Sequence, residues 1–167
     1  VVGAILVVLG LLAGSSFLWA DHLLDDAVSQ GDVAGVRQAQ RFLPPDGTVY
    51  GYLESGLFEQ AHDDPTPANK AAVLAAARRS TELDPAREYW WTQLGFAESA
   101  FGQGTQAERN DRAETYFKKA LTLSPWSVNA MLAMRGIELS RKDPVAASYW
   151  TKRLCEVDIC LRDKPGQ

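Results

Sequence analysis

The chain has 167 residues, with 17 Lys and Arg against 21 Asp and Glu, a formal net charge of −4 and 46% hydrophobic residues. Residues 1–20 carry no charge, so every charge lies in residues 21–167, at a density normal for one folded domain. That excludes a wholly disordered chain, a small disulfide-dense scaffold and a basic nucleic-acid binder.

Val1–Ala20 (VVGAILVVLGLLAGSSFLWA) has the length and composition of a membrane-spanning helix. About 20 apolar residues at 1.5 Å rise cover a hydrocarbon core of roughly 30 Å. Phe17 and Trp19 stand where interfacial aromatics belong, just before Asp21. Asp21, Asp25 and Asp26 precede the first basic residue, Arg37, and cytoplasmic flanks favour Lys and Arg. The following domain is therefore expected outside the membrane, in the periplasm or at the cell exterior. The chain opens on Val1 rather than Met, and residues upstream of it are expected. A cleaved signal peptide is the alternative; Leu12-Ala13-Gly14-Ser15 approaches a lipoprotein box but has Ser15 where the lipidated Cys is required. Gly10 and Gly14 put two bare positions on one helix face, which suits close packing of a partner helix, although Gly is common in membrane helices.

Residues 21–167 read as helical almost throughout. Ala, Leu, Glu, Arg and Gln dominate, and Pro or Gly breaks the pattern every 12–20 residues or so. The breaks fall at Gly31, Pro44-Pro45-Asp46-Gly47, Asp64-Pro65-Thr66-Pro67, Asp84-Pro85, Gly102-Gln103-Gly104, Ser124-Pro125 and Asp143-Pro144. Paired helices with short connections point to an α-hairpin array.

Trp91, Leu94 and Gly95 give W-x-x-L-G, and Ala113, Phe117, Ala120 and Pro125 give A-x3-F-x2-A-x4-P. This resembles the tetratricopeptide-repeat (TPR) family. The large residues of the pattern fill the groove between two helices, the small ones let helices touch, and the Pro ends the second helix. Two departures stand out. The aromatic expected three residues after Gly95 is Glu98, and Gly95 to Ala113 spans 18 residues where the 34-residue template has about 12. The extra residues are expected in a polar loop at Gln103–Asp111.

Flanking segments repeat the spacing more loosely. Val73, Ala77, Ser80 and Pro85 follow Tyr50 and Leu53, with a second long turn expected at His62–Asn69. Val36, Ala39 and Pro44 repeat it upstream, paired with a continuation of the membrane helix through Leu23-Leu24 and Ala27-Val28. Met131, Met134, Ala147 and Leu154 repeat it downstream. The expected fold is thus all-α: one transmembrane helix (1–20) followed by a TPR-like domain (21–167) of about four helix pairs. No Gly/Ser/Pro-rich spacer separates the two.

Catalytic and metal chemistry find little support. His22 and His62 lack partners at metal-ligand spacing, and His62-Asp63-Asp64 reads as a solvated turn before Pro65. Gly102-Gln103-Gly104 lacks the strand and the G-K-[ST] of a phosphate loop, and no nucleophile-elbow, H-E-x-x-H or C-x-x-C-H motif occurs. No cofactor and no metal are expected. Cys155 and Cys160 lie five apart. On an unbroken helix their Cα atoms stand roughly 8 Å apart, too far for a disulfide, so a bridge needs the helix to end near Glu156–Val157. An extracytoplasmic location favours the bridge; two reduced Cys at apolar positions are the alternative.

The resemblance implies a concave face lined by the first helix of each pair. It assigns Tyr89, Thr92, Phe96, Asn129 and Leu132 to a partner groove, with Gly136 and, upstream, Thr48, Gly51 and Ser55. The set lacks Lys and Arg, so it suits a helix or extended segment rather than a peptide's terminal carboxylate. Trp91 is assigned to repeat packing, and Trp90, Trp126 and Trp150 to core packing or partly exposed anchors. The leading functional expectation is a membrane-anchored interaction or scaffold subunit, held to the bilayer through Val1–Ala20 and binding protein subunits of a membrane complex on its outer side. One alternative is the C-terminal repeat tail of a polytopic membrane enzyme similar to bacterial O-antigen ligases and polymerase-type glycosyltransferases. Another is a secreted repeat protein released near Gly14–Phe17.

Overall fold

The computed structural model describes residues 18–157. Among them are eight helices in four consecutive pairs. These are α1 at 18–30, α2 (Val33–Gln40), α3 (Gly47–Asp63), α4 (Pro67–Leu83), α5 (Glu88–Phe101), α6 (Gln106–Leu123), α7 (Val128–Ser140) and α8 (Pro144–Cys155). The helices stop where Pro and Gly break the sequence, because proline cannot donate to a helix and glycine loses most backbone freedom in one. Side-chain caps mark the starts. The Asp32 carboxylate accepts from Ala34 N at 2.9 Å, that of Asp46 from Thr48 N at 2.5 Å, and that of Asp143 from Ala146 N at 2.9 Å. The chain divides into two compact units, Val1–Leu83 and Asp84–Gln167.

In the first unit α3 packs against α2 and α4. Ala27 and Gly35 bring α1 against α2: a Cβ on Gly35 would lie 2.7 Å from that of Ala27. Val36, Ala39, Leu53, Leu57, Ala61, Val73 and Ala77 form the buried interior. Glu54 is buried among the residues of α3, and burial pushes its carboxyl up to about 7. In register it stands where Gly95 stands in the second unit, and Ala77 stands where Phe117 does.

In the second unit α5 packs on α6, α6 on α7 and α7 on α8, with α5 also touching α7. Ala113, Phe117, Ala120, Ala130, Met134 and Ile137 form its core. Burial of a side chain such as Phe117 is worth about 3–5 kcal/mol by truncation. A Cβ on Gly95 would stand 2.5 Å from the Phe117 ring, so the glycine makes room for it. Glu98, at the position of the expected aromatic, is buried and paired through Oε1 with Arg112 Nε at 2.7 Å. Arg112 also donates to the Gln103 carbonyl, which ties α6 to the α5–α6 turn.

The long turns expected at 62–69 and 103–111 are short. α3 runs to Asp63 and α4 starts at Pro67; α5 runs to Phe101 and α6 starts at Gln106. The additional residues lengthen helices instead. Gly47, Glu88 and Val128 open successive first helices 41 and 40 residues apart, against 34 in the template. The cause at 103–111 is local. Gly104 takes φ +90°, and Thr105 and Glu108 form a reciprocal capping box that starts the helix at once. Thr105 N donates to Glu108 Oε2 at 2.7 Å, and this hydrogen bond holds the Glu108 carboxyl below its usual value.

The membrane span requires correction. No helix among the described residues is long and apolar enough to cross a membrane. The part of the proposed span that is described opens α1, which carries Asp21, His22, Asp25 and Asp26 within its next two turns. The remainder, including Gly10 and Gly14, lies outside the described residues. Among the described residues the fold is all-α paired helices with no helix able to span a membrane, and the extracytoplasmic location, which rests on the flank of that span, loses its basis.

Candidate functional site

The inner residues of α5 and α7 enclose a cleft of about 320 Å³ floored by α6. Its apolar wall comes from Phe96, Phe117, Ala133 and Ile137, with Gly136 open beside them. Phe96 is held half-buried by an edge-to-face contact with Phe117, ring centroids 5.2 Å apart. The polar end is built from Ser99, Gln106, Asn110 and Ser140. Asn110, buried on α6, is the hub: its Oδ1 accepts from Gln106 Nε2 at 2.7 Å and Ser99 Oγ at 3.2 Å, and its Nδ2 donates to Ser140 Oγ at 3.0 Å. Ser140 Oγ in turn donates to the Ile137 carbonyl at 2.7 Å. One amide thus links three helices, and none of the nine lining residues is charged.

Charge is gathered outside the cleft. Arg141, at the end of α7, donates from NH2 to Asp111 Oδ1 and Glu114 Oε2, both at 2.6 Å, and from NH1 to Glu138 Oε1 at 3.3 Å. Burial alone would raise the Glu114 carboxyl, but hydrogen bonds from Lys118 and Arg141 outweigh it and hold it below the usual carboxylate range. Its hydrogen bonds to Glu114 and Asp111 raise Arg141 further above its ordinary value. This cluster pins α7 to α6 just beyond the cleft.

The residues assigned to the groove separate. Phe96 and Gly136 line the cleft, and Asn129 and Leu132 are exposed on α7. Tyr89 is exposed on α5, its phenol oxygen accepting from Gln93 Nε2 at 2.5 Å. Thr92 is buried and its hydroxyl donates back to the Glu88 carbonyl at 3.2 Å, so it belongs to helix packing and not to the cleft wall. Thr48, Gly51 and Ser55 lie on α3 in the first unit. Ser55 there borders a second cleft of about 230 Å³ with Val33, Tyr52 and Gly56.

The packing positions have defined neighbours. Leu94, Ala113, Phe117 and Ala120 are buried. Trp91 is half-buried, stacked on Tyr116 at 6.3 Å, with its Nε1 donating to the Pro85 carbonyl at 2.9 Å. The Pro125 carbonyl accepts from Arg153 NH2 at 2.9 Å. Trp90 is buried, Trp150 half-buried, and Trp126 is 57% exposed with the Arg153 guanidinium 5.2 Å from its ring. α8 ends at Cys155, whereas Cys160, and with it the possible bridge, lies outside the described residues. Among the described residues no three of His, Cys, Asp and Glu come together as metal ligands.

Gln106 and Asn110 were not legible as site residues because 103–111 read as a loop, and without them nothing pointed to Ser99 and Ser140 on the neighbouring helices. The signal that places them is Thr105-x-x-Glu108, which puts Gln106 and Asn110 one turn apart on a single helix face.

The sequence matches no family model and no curated protein. Its fold is shared with crystal structures of MamA. One aligns with a TM-score of 0.66 over 87% of this chain and 78% of its own, at 14% identity. Another aligns with a TM-score of 0.62 over 92% of this chain and 79% of its own, also at 14% identity. At that identity the likeness shows the fold alone, which is a TPR-like all-helical array.

Proposed function

We propose that the chain is a protein-interaction or scaffold module that holds a segment of a partner protein in the cleft between α5 and α7. The observation that carries this reading is the cleft itself. An open, uncharged depression with an apolar wall has Leu132 exposed one turn before its Gly136, and the same two helices expose Asn129 and Tyr89. Exposed aromatics and leucine beside a preformed hollow are the usual means by which helical repeats grip a segment. The TPR-like fold supports the same reading, since stacked helix pairs present such hollows between successive first helices.

The test is affinity capture from the native source with the wild-type chain, a Tyr89→Ala/Leu132→Asp variant and a Thr122→Asp control on the exposed side of α6. A protein retained by wild type and control but reduced about tenfold or more by the double variant supports the reading. The same proteins recovered at the same level with all three would contradict it.

A further inference from the structure

We infer that the first unit carries a second docking surface, the cleft between α2 and α3, which takes an acidic segment of a partner protein with its carboxylates on Arg37 and Arg41. This cleft lies between the second helix of one pair and the first helix of the next. It is separate from the α5–α7 cleft, and the inference does not depend on that reading.

The cleft has a volume of about 840 Å³, within the range of ligand sites, and local packing fixes its shape. A Cβ on Gly56 of α3 would stand 2.7 Å from Val33 Cγ2, so the start of α2 sits directly on the α3 backbone. Gly31, at φ +66°, makes the turn that brings it there, and the Asp32 carboxylate is committed to capping α2. Past Val33 a gap opens between the two helices. Arg37, Gln38, Arg41 and Phe42 line it from the α2 side, and Glu59 and Gln60 from α3.

Arg37 and Arg41 stand one helical turn apart, both exposed, and among the described residues neither guanidinium makes a hydrogen bond, an ion pair or a ring contact. Every other arginine among the described residues has a partner within the chain. The two without one line the same cleft. The dipole of α2 accounts for a single cation in its last turn, whereas a second one turn away repels the first. Glu59 lines the opposite wall and pairs with neither, so both guanidinium forks are left for a carboxylate from outside. Phe42, 47% exposed, is held edge-to-face on Trp19 with ring centroids 5.6 Å apart, and offers an apolar side chain of the segment a contact beside Arg41. A protein segment fits better than an anionic bilayer. The chain carries a net charge of −4, and Glu59 in the same cleft repels a continuous negative surface but not a few carboxylates placed against α2.

The test pans a phage-displayed library of random dodecapeptides on the full chain and on an Arg37→Glu/Arg41→Glu variant. Wild type should enrich peptides with Asp or Glu beside an apolar residue, and their affinity should fall at least about tenfold between about 0.05 and 0.5 M salt. The double variant should bind them at least about tenfold more weakly, and Tyr89→Ala/Leu132→Asp, which alters the other cleft, should bind them as wild type does. Glu59→Lys should tighten them about threefold, a gain that a misfolded protein cannot show. A library yielding no acidic peptide that depends on Arg37 and Arg41, or a loss of affinity with Glu59→Lys, would overturn the inference. So would phosphatidylcholine–phosphatidylserine vesicles that bind through the two arginines where no acidic peptide does. Acidic peptides lost with Tyr89→Ala/Leu132→Asp and kept by the arginine variant would overturn it too, and would leave the α5–α7 reading standing.

Discussion

Asn110 and Ser140 are joined by a hydrogen bond from Nδ2 to Oγ at 3.0 Å, which fastens α6 to α7 across 30 positions of sequence. The same amide oxygen is held by Gln106 and Ser99, so its loss strands polar groups of α5, α6 and α7 together. Asn110→Ala is expected to destabilise the chain by about 2 kcal/mol and Ser140→Ala by about 1 kcal/mol. Urea unfolding measures both, and equal small effects would show that the hub is not structural.

A second prediction concerns the contact of Gly95 with Phe117. Gly95→Ala drives a methyl to within about 2.5 Å of the ring and is expected to cost about 1–3 kcal/mol, despite alanine's better helix propensity. Phe117→Leu alone opens space and also destabilises. In the double variant the losses should not add, the coupling in the urea-unfolding cycle recovering about 1 kcal/mol.

Glu98 and Arg112 form a pair with one buried end: the Glu98 side chain is 3% exposed and that of Arg112 43%. Arg112→Ala removes the guanidinium from a buried carboxylate, and a loss of about 2 kcal/mol is expected, below the range for fully buried pairs because Arg112 is partly in water. Arg79→Ala, which breaks the exposed Arg79–Glu82 pair, should leave the unfolding midpoint unchanged.

Glu54 gives the protein a pH dependence of opposite sign to that of an ordinary ion-paired carboxylate. Its folded value is about 7 against an ordinary 4.5. Between those limits the native state keeps a proton that the unfolded chain releases, so stability falls as pH rises through the window. The cost is fully present above about pH 7 and amounts to at most about 3 kcal/mol. Glu54→Gln should therefore be more stable than wild type at pH 8 and nearly equal to it at pH 4. Thermal unfolding of the two proteins at both values checks the sign.

The helix pairing was legible because Pro and Gly mark its breaks, and the TPR-like phase because Trp91-x-x-Leu94-Gly95 and Ala113 to Pro125 retain their spacing. The length of the helices was not, because six extra polar residues look alike as a loop or as an extended helix; the capping box at Thr105 and Glu108 decides between them. Thr92 was assigned to the groove by transferring the template's face, and it lies buried on α5 with its hydroxyl on the Glu88 carbonyl. In the structure Trp90 turns inward, with the Arg87 guanidinium 4.9 Å from its ring, and Thr92 is buried on the same helix. The span at Val1–Ala20 was read from its length, its lack of charge and the aromatics at its end, and the described residues contain no helix that could serve as one.

The most direct test of the central claim is site-specific photo-cross-linking in the native source. A photoreactive residue replaces Leu132 at the cleft margin or, as a control, Thr122 on α6, both of them exposed positions. The account predicts a discrete cross-linked partner from position 132, absent from position 122 and lost when Gly136→Leu is combined with the probe. Identical cross-links from both positions, or none from 132 while a partner is captured elsewhere on the chain, would contradict the cleft as the binding site.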